Sequence, residues 1–152
     1  MAGASPFRHE KADDSAGFLL WKITALWQRK LAGVLAQFGI TQTQHAVMAS
    51  LRWFEQHGEP ITQTHLVDHT RIDKMTLSKA IRKLEEAGLL HREGSATDSR
   101  AIEVRLTPRG RKLAGLAVVA IENADEEFFS CLADRQLAAY KSLTVRIIAH
   151  NG

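Results

Sequence analysis

The sequence predicts a mainly α-helical fold with one small β-hairpin, and three observations predict it. Apolar residues recur at three- and four-residue steps through most of the chain, in stretches opened by Ser, Thr or Asp and three times closed by Gly. Two short stretches of β-type alternation flank Gly94-Ser95-Ala96-Thr97-Asp98-Ser99, a run rich in turn formers. The length, 152 residues with 45% apolar and 24% charged, is that of one folded unit with a core of its own.

Residues 1–14 are polar and unpatterned and read as a flexible arm. Ser15 caps a first helix to about Phe38, where Leu20, Ile23, Trp27, Leu31, Val34 and Phe38 form a stripe and Gly39 supplies the stop. Phe18, Leu19, Trp21 and Leu26 widen that stripe beyond one face. Thr41-Gln42-Thr43-Gln44 is a capping box that opens a second helix through Val47, Leu51 and Phe54 to His57, before Gly58. Thr62 caps a short third helix, Gln63 to about His69, with Leu66 and Val67 inward.

Asp73 caps a fourth helix, Lys74 to Ala87, which buries Leu77, Ile81 and Leu84. It leaves Lys74, Thr76, Ser78, Lys79, Arg82 and Lys83 to solvent and stops at Gly88. Strands follow at Leu89 to Glu93 and Arg100 to Leu106. Thr107-Pro108 starts a fifth helix, since Thr caps and Pro at the first helical position loses no needed donor. Its stripe is Leu113, Ala117, Ala120, Ile121, Ala124 and Phe128. Asp134 is expected to cap the last helix, with Leu137, Tyr140, Thr144, Ile147 and Ile148 as its seam.

A single cysteine, Cys131, excludes an internal disulfide, a four-thiolate zinc site and a two-cysteine redox motif. With no apolar run of membrane length and no basic-then-apolar start, the expectation is a cytoplasmic protein with no membrane partner. Net charge is +3, and its distribution matters more than its total. Arg71 to Lys112 holds 11 basic against 6 acidic residues, while the remainder is slightly acidic. One local basic face suits contact with phosphate.

A helix, a short helix, a basic helix and a two-stranded hairpin, in that order, make a winged helix-turn-helix over residues 39–107, whose second helix of the pair enters the major groove. Four motifs are similar to the MarR-type multiple-antibiotic-resistance regulators: Ile72-Asp73-Lys74-Met75-Thr76-Leu77-Ser78-Lys79, Leu84-Glu85-Glu86-Ala87-Gly88-Leu89-Leu90, Asp98-Ser99-Arg100-Ala101 and Leu106-Thr107-Pro108-Arg109-Gly110. At Met75 the sequence departs from the small hydroxyl residue more usual in that family, so base preference does not carry over.

The candidate DNA-binding residues are Thr62, Lys74, Thr76, Ser78, Lys79, Arg82, Asp98 and Arg100, with Lys83 placed for a flanking phosphate. The bland reading of the basic helix is a solvated amphipathic face. Arg100 has two roles open to it, entering the minor groove from the wing or pairing with Asp98 to shape the hairpin tip. Arg92 and Arg105 read as cross-strand surface positions. Residues 15–38 and 108–150 carry more apolar surface than a small winged domain covers, which predicts dimerisation helices and a homodimer. Two recognition helices about 34 Å apart would then read a pseudo-palindrome in double-stranded DNA.

The resemblance further implies a repressor released by a small, often aromatic or phenolic effector held between the dimer helices and the reading domain. Trp21, Trp27, His45 and Trp53, with Phe38 and Phe54, are the candidate ligand residues, and Arg29, Lys30 or Arg52 the candidate carboxylate partners. Their bland reading is core. His65 and His69 have the spacing of two ligands on one helix but no third partner in sequence, so surface histidines and no metal are expected. Phe128, Phe129 and Leu132 suggest that Cys131 is a buried, inert thiol. No nucleophile elbow, phosphate loop, metal box or defensible carboxylate pair occurs, so neither an enzyme nor a cofactor is expected. The rival reading is a winged-helix protein-interaction module without sequence-specific DNA binding.

Overall fold

The computed structural model describes residues 3–152. After a single 3₁₀ turn at Ala12–Asp14 come α1 (Ala16–Ala36), α2 (Gln42–Gln56), α3 (Gln63–Thr70), α4 (Lys74–Glu86), β1 (Leu90–Gly94), β2 (Ile102–Leu106), α5 (Pro108–Phe128) and α6 (Asp134–Asn151). The 3₁₀ turn gives the expected arm a short ordered end, where Asp13 pairs with Lys22 of α1 at 2.8 Å. The mainly α class with one antiparallel hairpin is as the sequence predicts.

Local chemistry accounts for the helix ends. Ser15, Thr41, Thr62, Asp73 and Thr107 each accept a backbone N–H from three residues on, satisfying donors the first turn leaves free. Gly39, Gly58 and Gly88 follow helix ends with φ between 67° and 74°. Two ends differ from expectation. Asp134 is the first helical residue rather than the cap, and the start of α6 is secured by Gln136 Oε1, which accepts from the Ala133 amide at 2.9 Å. The end of α3 is turned by Arg71, which adopts the left-handed conformation (φ 60°) without being glycine.

The hairpin pairs Leu90 with Leu106 and Gly94 with Ile102 in antiparallel register. A third segment, which alternation alone did not reveal, joins it through the Val104 amide, which donates to the Ile61 carbonyl at 2.8 Å. This anchors the entrance of α3 to the wing. The core lies among α2, α3, α4, the hairpin and the near ends of α1 and α5, built on Leu35, Met48, Leu51, Leu66, Leu77, Ile81, Leu84 and Leu90. On α1 the buried residues are Leu31 and Leu35, so the predicted stripe is displaced: Leu20 is turned to solvent and Leu35 takes a core place.

Beyond that core the helices run on uncovered. Phe18, Leu19, Leu20, Trp21 and Leu26 on α1, and Leu116 and Val119 on α5, are exposed. α6 buries nothing, with Leu143, Val145, Ile147 and Ile148 outward. No described helix is long and apolar enough to cross a membrane.

Candidate nucleic-acid interface

The site is built on α4. Asp73 Oδ1 accepts the Thr76 amide at 2.9 Å and its Oδ2 accepts the Thr76 hydroxyl at 2.6 Å. These bonds, the side-chain one foremost, hold the Asp73 carboxyl below its usual range. One face of α4 buries Leu77, Ala80, Ile81 and Leu84, and Arg109 Nη1 donates to the Ala87 carbonyl just past its end at 3.0 Å. At about 100° per residue, Met75 lies opposite Leu77 and Leu84, and Lys79 and Arg82, four and seven residues on, continue its stripe. The apex of the free face is therefore Met75, Lys79 and Arg82, flanked by Lys74, Thr76 and Lys83, all exposed.

Among the described residues, Lys74, Lys79, Arg82 and Lys83 pair with no carboxylate, whereas Arg92, Arg105 and Arg111 on the neighbouring elements do. Arg92 grips Glu85 through Nη2 at 2.9 Å and donates its own amide to the same carboxylate at 3.0 Å, lowering the Glu85 pKa and raising its own. Arg105 pairs with Glu103 at 3.1 Å, and Arg111 of α5 with Glu55 of α2 at 2.9 Å. The structure thus separates neutralised cations from unpaired ones, which composition cannot do. Arg92 and Arg105 are the surface positions expected of them.

At the wing tip Asp98 and Arg100 meet through the main chain. Asp98 Oδ1 accepts the Arg100 backbone amide at 2.9 Å, and the Asp98 carbonyl accepts from the Ala101 amide at 3.1 Å. Asp98 therefore shapes the tip through the main chain, and the Arg100 guanidinium makes no ion pair among the described residues. It lines, with Lys74, Gln63, Thr64, Val67, Ala101 and Ile102, a cleft of about 350 Å³ between wing and helices.

Two more predicted contacts, besides Thr76 and Asp98, have other duties. Ser78 is half-buried and accepts a hydrogen bond from Gln63 Nε2 at 2.6 Å, so it locks α4 to α3 rather than facing solvent as expected; this correction follows from its place on the flank toward α3. The Thr62 hydroxyl oxygen accepts from the His65 amide at 3.2 Å as the α3 cap, leaving only its O–H to offer. His65 Nδ1 accepts from the Thr62 amide, and His69 packs edge-on against Phe54 with ring centroids 5.0 Å apart. Each histidine has a local task, and no group of three His, Cys, Asp or Glu side chains gathers among the described residues.

The proposed ligand residues do not converge. Trp27 donates Nε1–H to Asp125 Oδ1 at 2.7 Å and lines, with Leu20, Ile23, Thr24, Asp125, Phe128, Phe129 and Tyr140, a cleft of about 390 Å³ between α1 and the α5–α6 turn. Trp21, 75% exposed, borders a separate groove along α1. Trp53, 57% exposed, stacks on His57 at the far end of α2. His45 is buried. No single cleft holds all four: Trp27 and His45 both neighbour Asp125, whereas Trp21 and Trp53 are turned to solvent. Of the carboxylate partners, Lys30 pairs with Glu127 at 2.9 Å, and neither Arg29 nor Arg52 lines the Trp27 cleft. Cys131 is also corrected, being exposed in the α5–α6 turn rather than buried.

His45 is 8% exposed and its Nδ1 has no hydrogen-bond partner among the described residues. Burial pushes its pKa below the ordinary imidazole value, outweighing the opposing pull of Asp125. Below about pH 6.5 the unfolded chain therefore takes up a proton that the folded chain resists, and stability falls as pH falls. Urea unfolding from pH 8 to 5 should show this decline, and His45→Leu should flatten it; an unchanged slope in the variant would assign it elsewhere.

An unpaired cationic helix face beside an unpaired arginine at a wing tip defines a winged-helix DNA-binding protein. The ArnR1-like winged-helix domain model matches residues 32–123, and the chain belongs to that winged-helix family of HTH-type, DNA-binding transcriptional regulators. It is 33% identical to the uncharacterized HTH-type transcriptional regulator YdcH of Bacillus subtilis over 80% of this chain and 83% of that one. It is 26% identical to the HTH-type transcriptional repressor Mb2911 of Mycobacterium bovis, over 90% and 96%. The fold is similar to that of a mutant Escherichia coli MarR complexed with operator DNA, with a TM-score of 0.76, 21% identity, and 86% and 91% of the two chains covered.

Proposed function

We propose that the protein is a repressor that binds a pseudo-palindromic operator as a homodimer and leaves it when a small aromatic ligand binds. The observation that carries the DNA half is the set of cations Lys74, Lys79, Arg82, Lys83 and Arg100 on α4 and the wing tip, which make no ion pair among the described residues while Arg92, Arg105 and Arg111 nearby do. An interaction module relieved of DNA binding would be expected to have lost Lys74, Lys79, Arg82 and Arg100, and all four are present. Repression accords with the name of the Mycobacterium bovis relative.

The homodimer is supported by the uncovered faces of α1, α5 and α6, apolar surface too extended for one chain to leave in water. Two copies joined there present two α4 helices to successive major grooves, about 34 Å apart. The Trp27 cleft lies on the helices that set that spacing, so a ligand seated in it would bias the separation of the reading helices. Asp125 is the one charged residue of its lining, which favours a neutral phenol that donates a hydrogen bond over an aryl carboxylate that would be repelled.

Enrichment from a random duplex pool, followed by light scattering of the free protein and of the complex, tests this reading. The expected result is a dimer at micromolar concentration, two chains on one enriched duplex of two half-sites, and its release by members of a phenol panel. A well-folded monomer, or a pool that stays unenriched at low salt, would contradict it.

A further inference from the structure

We infer that Met75 is a specificity-determining residue that reads the 5-methyl group of a thymine in each half-site, an inference that rests on the DNA-binding reading above. Met75 is 84% exposed and is the only large apolar side chain turned outward on α4. It stands opposite the buried Leu77 and Leu84, so it projects furthest from the protein, at the N-terminal turn that enters the groove first. Its stripe continues into Lys79 and Arg82, which make no ion pair among the described residues. An isolated apolar residue on a surface needs no explanation in general. One at the apex of a cationic reading face has a narrower meaning.

The walls of a major groove are phosphate and are met by the cations on either side. The floor offers donors, acceptors and a single apolar group, the thymine methyl. A methionine thioether donates no hydrogen bond and accepts only weakly, so against guanine, cytosine or adenine edges it would strip water and return nothing. Against a methyl group it makes a dispersion contact, and its unbranched chain has the reach and adaptability to find that group. The adjacent hydroxyl does not compete for the position, because Thr76 already donates its O–H to Asp73 at 2.6 Å. The structure thus assigns thymine recognition to Met75 and leaves hydrogen-bonded readout to the lysines beside it.

The test uses the duplex enriched by the full-length protein, with deoxyuridine replacing thymine at one symmetric pair of positions at a time, so that only methyl groups are removed. Met75→Ser and Met75→Leu are measured alongside; the residue is exposed, so both should fold. At one thymine pair the wild type should lose about fourfold in affinity per half-site, as expected for one methyl contact. Met75→Leu should keep that loss, and Met75→Ser should bind the two duplexes alike. If wild type and Met75→Ser lose equally at every position, another side chain reads the methyl and the inference is overturned. If a duplex is enriched but no methyl matters, the inference fails while the regulator reading stands. If no duplex is enriched, both fail.

Discussion

Gly110→Ala should destabilise the protein by about 3 kcal/mol or more, the range of backbone-adjacent overpacking, and lower Tm by roughly 10 °C for a chain of this size. A Cβ at Gly110 would lie 1.8 Å from the Leu89 carbonyl oxygen and 2.7 Å from its carbon, both main-chain atoms that no rotamer change can remove. The contact sits where the first turn of α5 rests on the turn between α4 and β1. There the Thr107 amide donates to the Leu89 carbonyl at 3.1 Å, and the Thr107 hydroxyl donates to the Gly88 carbonyl at 2.7 Å. Alanine must lift α5 off that seat, so the long helix and the reading helix would lose their fixed relation. Gly88→Ala is the matched control. Its φ of 74° adds strain, but its nearest neighbour is 3.8 Å away, so it should cost about 1 kcal/mol. Thermal unfolding compares the two, and a Gly110→Ala Tm within about 2 °C of wild type would refute the seating.

The second large effect concerns DNA. Lys79→Ala combined with Arg82→Ala should weaken binding by at least about tenfold per position near 0.1 M salt. If both positions meet phosphate in the proposed homodimer, the log–log salt dependence becomes shallower by about two units each, since every position would then occur twice and each contact contributes about 0.9. Arg100→Ala should change the slope by a similar amount, since its guanidinium makes no ion pair among the described residues. Arg92→Ala is the discriminating control: it removes a cation from the same basic segment, but one already neutralised by Glu85, and should leave the slope as it was. Fluorescence anisotropy of one labelled duplex across a salt series measures all four proteins. Equal slopes for Arg92→Ala and Arg100→Ala would mean that gross charge, rather than unpaired charge, governs binding.

Much of this architecture is legible from residue order because each helix carries its own boundary chemistry. Thr41 with Gln44, Asp73 with Thr76, and Thr107 before Pro108 are local devices, and local devices survive in a one-dimensional reading. What was not legible depends on partners distant in the chain. Ser78 and Thr76 look alike as exposed hydroxyls on a basic helix, yet Gln63, fifteen residues away, claims the first and Asp73 the second. Arg92 and Arg100 are both wing arginines, and only the position of Glu85 tells the bound one from the free one. The left-handed turn at Arg71 bears no glycine to announce it. For a related reason the tryptophans share no one cleft within the chain: Trp21, Trp27 and Trp53 sit on the first two helices but point in different directions around them.

Hydroxyl-radical footprinting of the enriched duplex shows whether two identical cationic helices, held at a fixed separation, grip one face of DNA. Two equal patches of protection are expected, centred about one helical turn, or roughly ten base pairs, apart, related by two-fold symmetry and lost together in the Lys79→Ala, Arg82→Ala protein. A single patch, or uniform protection spreading along the duplex with no repeat, would contradict it.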